Sequence, residues 1–271
     1  KHLRPPEYKP GSTSDRLVGF VDLGATMLSL AGIKPAAFQQ GKAFLGKYVT
    51  PKPEYSFGFR GRMDERPDCS RTVVDGKYVY IRNFMPHLPH GQILHYQMET
   101  QTTRLWRRLF HQGKLNKVQS AFWEKKAPEE LYDITADPHE TNNLAADPAC
   151  RKQLLEMRAA LYDNLSATFD VALLPEGMFH DAAKKHGITP ADLTRRKNFY
   201  SVPEIRKAAD LLLEPDLKTD QVAPMLKATL PSQRYWAVLA CLYRGEHLTR
   251  ALDAELEQLL RDPSRSVQIA A

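Results

Sequence analysis

The spacing of apolar residues near the start of the chain predicts an amphipathic helix. Ser14 or Asp15 can cap this helix, and Gly32 with Pro35 ends it. Apolar residues between these points recur at three- and four-residue steps, which places them on one helical face. The residues of this face are Leu17, Val18, Val21, Ala25 and Leu28. We therefore expect a helix that packs through that face.

Runs of β-prone residues after this helix predict a hairpin. One run covers residues 55–60, and two more, at 71–74 and 77–82, are separated by Asp75-Gly76. Asp-Gly favours a tight turn because its residues tolerate the positive φ that such a turn needs.

A further strand and a helix complete the pattern of the first part of the chain. The strand is predicted at residues 130–134, and the helix at 150–165 begins after Asp147-Pro148. Strands followed by a closing helix indicate an α+β fold, here a small antiparallel sheet with packing helices.

The strand signals vanish after residue 200. Ile205, Trp236 and Ile269 lie in similar short contexts, at spacings of 31 and 33 residues, with a second helical run between each pair. This period is typical of an all-α solenoid of HEAT-like type. We expect a domain at 1–168, a linker at 169–200 and truncated repeats at 201–271, with the third repeat broken off.

Composition restricts the class of protein. The chain has 271 residues, of which 42% are hydrophobic and 26% charged, which excludes general disorder. Its most apolar stretch, residues 17–33, is too short and too polar to span a membrane. Three scattered cysteines indicate neither a disulfide framework nor a zinc finger. A net charge of +6 favours an acidic ligand, with sulfated glycan, nucleic acid and anionic lipid as the candidates.

Several segments of the sequence resemble the sulfatase family. SDRLVGFVDLGATMLSLAGI and QGKAFLG are similar to the segment that follows the active-site core in that family. RMDERPDCSRTVVDGKYVYIRNF, EELYDITADPHETNNLA and DPACRKQLLEMRAALYDNL are similar to its C-terminal subdomain. The resemblance covers about residues 12–168 and identifies the C-terminal portion of a formylglycine-dependent sulfatase of the alkaline-phosphatase-like superfamily.

The resemblance implies a sulfuric ester hydrolase that cleaves sulfate esters or sulfamates, with a sulfated sugar as the expected substrate. The family's nucleophile is a formylglycine matured within Cys/Ser-x-Pro-Ser/Ala-Arg, and a divalent cation, most often calcium, neutralises the sulfate. Cys69-Ser70-Arg71 lacks the proline, and Pro263-Ser264-Arg265 has Arg261 at the nucleophile position. We expect no catalytic residue, no metal ligand and no activity in this chain alone.

The loop after the first strand holds the first candidates for substrate binding. Its charged residues are Arg60, Arg62, Asp64, Glu65 and Arg66. Guanidinium groups suit sulfate oxygens, and a carboxylate can accept hydrogen bonds from sugar hydroxyls. Arg62 and Asp64 would point to one side if the strand continued. The alternative is a surface loop whose charges pair with one another.

Two further stretches bear on binding. His87 and His90 in MPHLPH are candidates for substrate contact, with ordinary loop histidines as the alternative, and no carboxylates stand at metal-ligand spacing. Thr100–Trp123 contains no acidic residue, and its helical pattern sets Arg104, Arg107, Arg108 and His111 opposite an apolar stripe. This stretch could attract a polyanion, but no nucleic-acid module is present.

A second hypothesis is a non-enzymatic module whose helical repeats bind a protein partner. The coding sequence upstream of Lys1 discriminates the two, because a Cys/Ser-x-Pro-Ser/Ala-Arg motif there supports the sulfatase. No leader segment is recognisable at the start of the sequence. Many bacterial relatives are exported, so the resemblance makes a periplasmic or secreted parent the expectation.

Overall fold

The computed structural model describes residues 9, 11–62, 64–196 and 200–271. The chain falls into two compact units, each made of three segments. The first unit consists of Lys1–Phe59, Arg71–Ile81 and Glu130–Ala160, and the second of Arg60–Ser70, Arg82–Glu129 and Leu161–Ala271.

Most of a four-stranded antiparallel sheet lies in the first unit, which confirms the predicted small sheet. Its strands are β1 (Ser56–Arg60), β2 (Ser70–Val74), β3 (Tyr78–Asn83) and β4 (Glu129–Asp133), paired in the order β1-β2-β3-β4. The predicted hairpin is present between β2 and β3. Asp75 N–H donates to the Tyr78 carbonyl at 3.2 Å, and Gly76 takes a φ of +95° that a side chain would strain.

The helices are α1 (Val21–Leu30), α2 (His95–Met98), α3 (Gln101–His111), α4 (Lys117–Ala121), α5 (Arg151–Thr168), α6 (Glu176–His186), α7 (Pro190–Thr194), α8 (Val202–Ala209), α9 (Thr219–Leu226), α10 (Pro231–Arg244), α11 (Glu246–Ala251), α12 (Asp253–Leu259) and α13 (Arg265–Ala270). None of the helices formed by the described residues has both the length and the apolar character that crossing a bilayer requires.

Helix α1 differs from its prediction in start and in buried face. It begins at Val21 without a side-chain cap, so neither Ser14 nor Asp15 caps it. Val18 and Val21 are exposed, whereas Ala25, Thr26 and Ser29 are buried. The reason is that the polar side chains of α1 hold the loop at residues 42–48. Backbone N–H groups of this loop donate to Asp22 Oδ1 (from Lys42, 2.7 Å), Thr26 Oγ1 (from Phe44, 3.2 Å) and Ser29 Oγ (from Tyr48, 2.8 Å).

The second unit contains the helices that follow residue 169. The segment 169–200, predicted as a linker, contains α6 and α7 and buries Leu173, Met178 and Leu193. Helix α8 packs against α10, and Ile205 and Trp236, one on each helix, are both buried. The division into three linear domains and the HEAT-like character of residues 201–271 stay predictions.

Arg82 has a structural role at the end of β3. Its side chain is fully buried and donates to the carbonyls of Asn83 (2.9 Å), Pro128 (3.1 Å) and Ala209 (2.9 Å). The guanidinium lies 3.5 Å from Asp210 Oδ1 and 4.6 Å from the centre of the Phe84 ring. This one side chain therefore joins the end of β3 to the end of α8.

Candidate functional site

Two loops of the second unit carry the predicted site residues. We call residues 60–69 the arginine loop and residues 84–95 the histidine loop. Hydrogen bonds join the two loops side by side. They run from Arg60 Nη2 to the His90 carbonyl (3.1 Å), from Arg66 Nε to the Ile93 carbonyl (2.7 Å), from His95 N–H to Glu65 Oε1 (2.9 Å) and from Gln92 Nε2 to the Pro67 carbonyl (2.8 Å).

A buried ion cluster fixes the base of the arginine loop. The Asp68 carboxylate accepts from Lys126 Nζ at 2.6 and 2.7 Å, and both side chains are fully buried. Arg60 Nε lies 3.1 Å from the other side of this carboxylate, on Oδ2. Buried opposite charges at this distance need each other, because an unpaired charge in a protein interior is costly. The cluster gives the loops above it a rigid base.

His87 lies near this cluster and is kept neutral mainly by its burial. Burial, followed by the positive charge of Lys126, lowers the pKa of His87 to about 4. Its Nδ1 is shielded from solvent and has no hydrogen-bond partner among the described residues. A neutral imidazole can donate or accept one hydrogen bond to a substrate but offers no charge to a sulfate. Substrate contact by His87 and His90 stays a prediction.

The arginine loop leaves different side chains exposed than its sequence suggests. Arg60, Glu65 and Arg66 use polar groups to hold the histidine loop, as described above. Arg62, with 56% of its side chain exposed, pairs with Glu176 at 2.8 Å and donates from Nη1 to the Asp64 carbonyl at 2.7 Å. The Asp64 carboxylate is exposed and has no partner among the residues that the structure describes.

The condition for a common direction of Arg62 and Asp64 is not met. It required the strand to continue through both residues, but β1 ends at Arg60 and Asp64 has a φ of +46°. The left-handed conformation of Asp64 turns the chain instead. What brings the two residues together is the hydrogen bond from the Arg62 guanidinium to the Asp64 backbone.

A cleft of about 310 Å³ adjoins both loops. We call it the side cleft. The residues that line it are Arg66, Pro89, Gly91, Gln92, Ile93, Arg107, Phe110, His111 and Trp123. Helix α3, capped by the Thr100 hydroxyl on Thr103 N–H, supplies Arg107, Phe110 and His111. Arg107 and His111, which the pattern places opposite the apolar stripe, thus line the same cleft as Phe110 of that stripe.

Trp123 and Phe110 line one wall of the side cleft, and further aromatic rings pack behind Trp123. Trp106 stacks on Phe122 with 4.5 Å between ring centres, and Trp123 meets Trp106 edge-on at 5.4 Å. Gly91 allows the histidine loop to approach these rings, because a Cβ at this position would lie 2.6 Å from Phe122 and 2.7 Å from Trp123. The wall is therefore held from two sides.

Four further residues belong to this region and were not predicted from the sequence as site residues: Asp68, Lys126, Glu176 and Trp123. The two members of the buried pair, Asp68 and Lys126, lie 58 residues apart, and no local pattern indicates that they meet. For Trp123 a signal existed, since it closes the acid-free run that begins at Thr100.

Comparisons with known proteins relate part of the chain to sulfatases. No protein-family model matches it. Two proteins of Formosa agariphila, each called an ulvan-active sulfatase, are similar to it. One is 38% identical over 176 residues, covering 64% of this chain and 30% of that protein, and the other is 33% identical over 156 residues, covering 53% and 28%.

Two solved structures are similar to part of the chain at low TM-scores. A 2-O GAG sulfatase is 24% identical over 55% of this chain and 25% of its own, with a TM-score of 0.36. A protein in complex with its substrate D-glucosamine-2-N,6-O-disulfate is 15% identical over 53% and 23%, with a TM-score of 0.34. The chain spans less than a third of the length of the curated relatives it matches. The sulfatase resemblance is supported over about half of the chain.

Proposed function

We propose that this chain is the C-terminal part of a sulfatase that hydrolyses a sulfated sugar, and that its arginine loop faces the substrate. The observation that carries the proposal is the 38% identity to an ulvan-active sulfatase over 176 residues. The structure supports a binding role for the loop, because a rigid base holds it while Arg62 and Asp64 remain exposed.

The chemistry at sulfur is proposed to lie outside this chain. A sulfatase of this family supplies a formylglycine nucleophile and a divalent cation, most often calcium. The described residues do not fit such a cation, since they form no group of three or more His, Cys, Asp or Glu side chains able to hold one. Of the acidic residues in the arginine loop, Glu65 accepts a backbone N–H, and Asp68 binds Lys126. Our proposal therefore assigns this chain to substrate recognition.

Recognition by the arginine loop follows from its exposed groups. Arg62 Nη2 has no hydrogen-bond partner among the described residues, so it can donate to a sulfate or carboxylate oxygen while Nε keeps Glu176. The Asp64 carboxylate can accept from sugar hydroxyls. Together they would select the sugar around the sulfate ester rather than the ester itself.

Substitution of these two residues tests the proposal in the complete protein. Arg62→Ala and Asp64→Ala should each lower kcat/KM on an ulvan oligosaccharide about ten- to a hundredfold, the cost of one charge-assisted contact. A small aryl sulfate should lose far less, because it lacks the rest of the sugar. Steady-state kinetics on both substrates measures the difference.

A matched control is Arg250→Ala. Arg250 also forms an exposed ion pair, with Glu246 at 3.0 Å, but it lies on α11. We expect this variant to keep its activity on both substrates. Equal losses on both substrates in the loop variants would indicate a folding defect, and no loss on either would remove the loop from the substrate site.

The isolated chain of 271 residues should hydrolyse no sulfate ester. None of its cysteines or serines stands in a motif that can mature to formylglycine. The measurement is release of the phenol from an aryl sulfate by purified chain with calcium present, against a buffer blank. Turnover above the blank that scales with protein concentration would contradict the assignment of the nucleophile to a missing part.

A further inference from the structure

The side cleft combines guanidinium groups with an aromatic ring. We propose that it binds a sulfate group on a second sugar residue of a polymeric substrate. Arg66 and Arg107 would hold the sulfate, and the ring of that sugar would lie against Trp123. This inference rests on the proposed function, since it extends the substrate from one sugar to its neighbour.

The charge of the cleft favours an anion. No Asp or Glu is among its lining residues, and the run from Thr100 to Trp123 contains none. Arg107 is half-buried yet forms no ion pair or side-chain hydrogen bond with any residue that the structure describes. A half-buried guanidinium without a counter-charge binds an anion more strongly than a fully solvated one, because its surroundings screen the attraction less.

Arg66 reaches the same cleft with part of its guanidinium already fixed. Its Nε donates to the Ile93 carbonyl at 2.7 Å, while its two Nη groups bond to none of the described residues. The backbone contact orients the side chain, so less conformational entropy is lost when an anion binds. Because Arg66 also belongs to the arginine loop, one sugar chain could contact both sites.

The aromatic wall and the size of the cleft fit a sugar ring. Trp123 is held by Trp106, at 5.4 Å edge-on, and by Phe122, at 5.0 Å edge-on. A fixed ring with a large apolar face is a suitable surface for the C–H groups of a pyranose. The volume of about 310 Å³ lies at the lower end of ligand pockets, which suits about one sugar residue.

A larger cleft elsewhere in the second unit lacks these features. It has a volume of about 410 Å³ and lies beside α11 and α12. Its lining includes Asp253 and Glu257, which would repel a sulfate, and no aromatic residue. Size alone therefore does not select the side cleft, whereas charge and aromatic content do.

The test measures binding to the 271-residue chain by isothermal titration calorimetry at low salt. The probe is an ulvan tetrasaccharide, compared with the same tetrasaccharide after chemical desulfation and with inorganic sulfate. We expect the sulfated tetrasaccharide to bind and the desulfated one to bind at least tenfold more weakly. Equal affinity for both would overturn the assignment of sulfate as the bound group.

The matched pair of variants is Arg107→Ala and Arg108→Ala. Both remove one positive charge from α3, but Arg108 is exposed and does not line the cleft. Arg107→Ala should weaken binding about ten- to a hundredfold, and Arg108→Ala should change it less than about threefold. Equal weakening would indicate attraction by the whole basic helix and would overturn the proposed site.

Arg107→Lys keeps the test valid if the alanine variant folds poorly. It preserves the charge but lacks the paired N–H donors of a guanidinium. An intermediate affinity at an unchanged melting temperature supports the proposal. Wild-type affinity overturns the guanidinium contact. Failure of this proposal is distinguishable from failure of the proposed function. Arg107→Ala could bind the tetrasaccharide with wild-type affinity while Arg62→Ala, in the complete protein, lowers kcat/KM on the oligosaccharide far more than on the aryl sulfate. In that case only the side-cleft proposal is wrong.

Discussion

Lys126→Met should lower the free energy of unfolding by about 3 kcal/mol, because it leaves the buried Asp68 carboxylate without its closest partner. The expected loss is at the lower end of the range for broken buried pairs, since Arg60 Nε remains 3.1 Å from Asp68 Oδ2. Denaturant titration followed by circular dichroism measures it.

The neighbouring lysine provides the matched control. Lys125 is exposed, so Lys125→Met should change the free energy of unfolding by less than about 0.5 kcal/mol. The double substitution Asp68→Leu with Lys126→Met removes both charges and should recover most of the stability that the single variant loses. If the single and double variants lose the same amount, the effect comes from packing and not from the unpaired charge.

The pKa of His87 gives a second measurement of the Lys126→Met substitution. Lys126 is one of the causes that lower its pKa to about 4, second to burial. In Lys126→Met the pKa of His87 should rise, as measured by titration of its imidazole resonances. Between pH 6.5 and 4 the unfolded chain takes up a proton that the folded chain does not, so stability falls as the pH falls through this window. The variant should lose less stability across it than the parent.

Short-range patterns in the sequence predicted the elements that depend on neighbouring residues. The hairpin at Asp75-Gly76 is correct, because the turn requires a positive φ and the sequence supplies a residue that tolerates it. Asp147-Pro148 likewise begins a helical segment: Asp147 accepts from Ala149 N–H and caps a 3-10 turn at Pro148–Cys150, and α5 follows directly from Arg151. Both features are settled within a few residues.

Long-range contacts were the source of the errors. In α1, Asp22, Thr26 and Ser29 look like interruptions of an apolar face, but they recur at helical spacing and bind the loop at residues 42–48. Their spacing was a readable signal of a polar helical face. The left-handed Asp64 and the pairing of Asp68 with Lys126 had no such signal, because both depend on how distant segments meet.

The two substrate contacts proposed for the second unit also differ in how far the sequence indicated them. Arg60 to Arg66 was visible as a crowded charged loop, but its sequence did not show that three of its residues hold the histidine loop. The basic run on α3 was visible as well. The cleft that it shares with the histidine loop depends on Gly91, whose missing side chain lets that loop approach Phe122 and Trp123.

Arg82→Ala should lower the free energy of unfolding by about 3 to 5 kcal/mol, since it removes a buried guanidinium that donates to three carbonyls of the second unit. Of these, the Pro128 carbonyl keeps the Asn83 N–H as a donor. Arg82→Lys should recover less than half of the loss, because an ammonium cannot reach three acceptors in the fixed geometry of a guanidinium. Arg104→Ala, on the exposed side of α3, is the control and should stay within about 0.5 kcal/mol of the parent.

Removing residues 201–271 should remove part of the contacts that hold the Arg82 side chain. The linear domains predicted from the sequence imply that the first 200 residues fold alone. In the structure, Ala209 and Asp210 hold the Arg82 guanidinium, and Trp236 lies 5.9 Å from Phe84 between ring centres. A chain that ends at residue 200 should therefore lose hydrogen-exchange protection at residues 82–84, as Arg82→Ala should in part. Full protection of these amides in the truncated chain would show that the end of β3 is stable without α8 and α10, and would support the linear division.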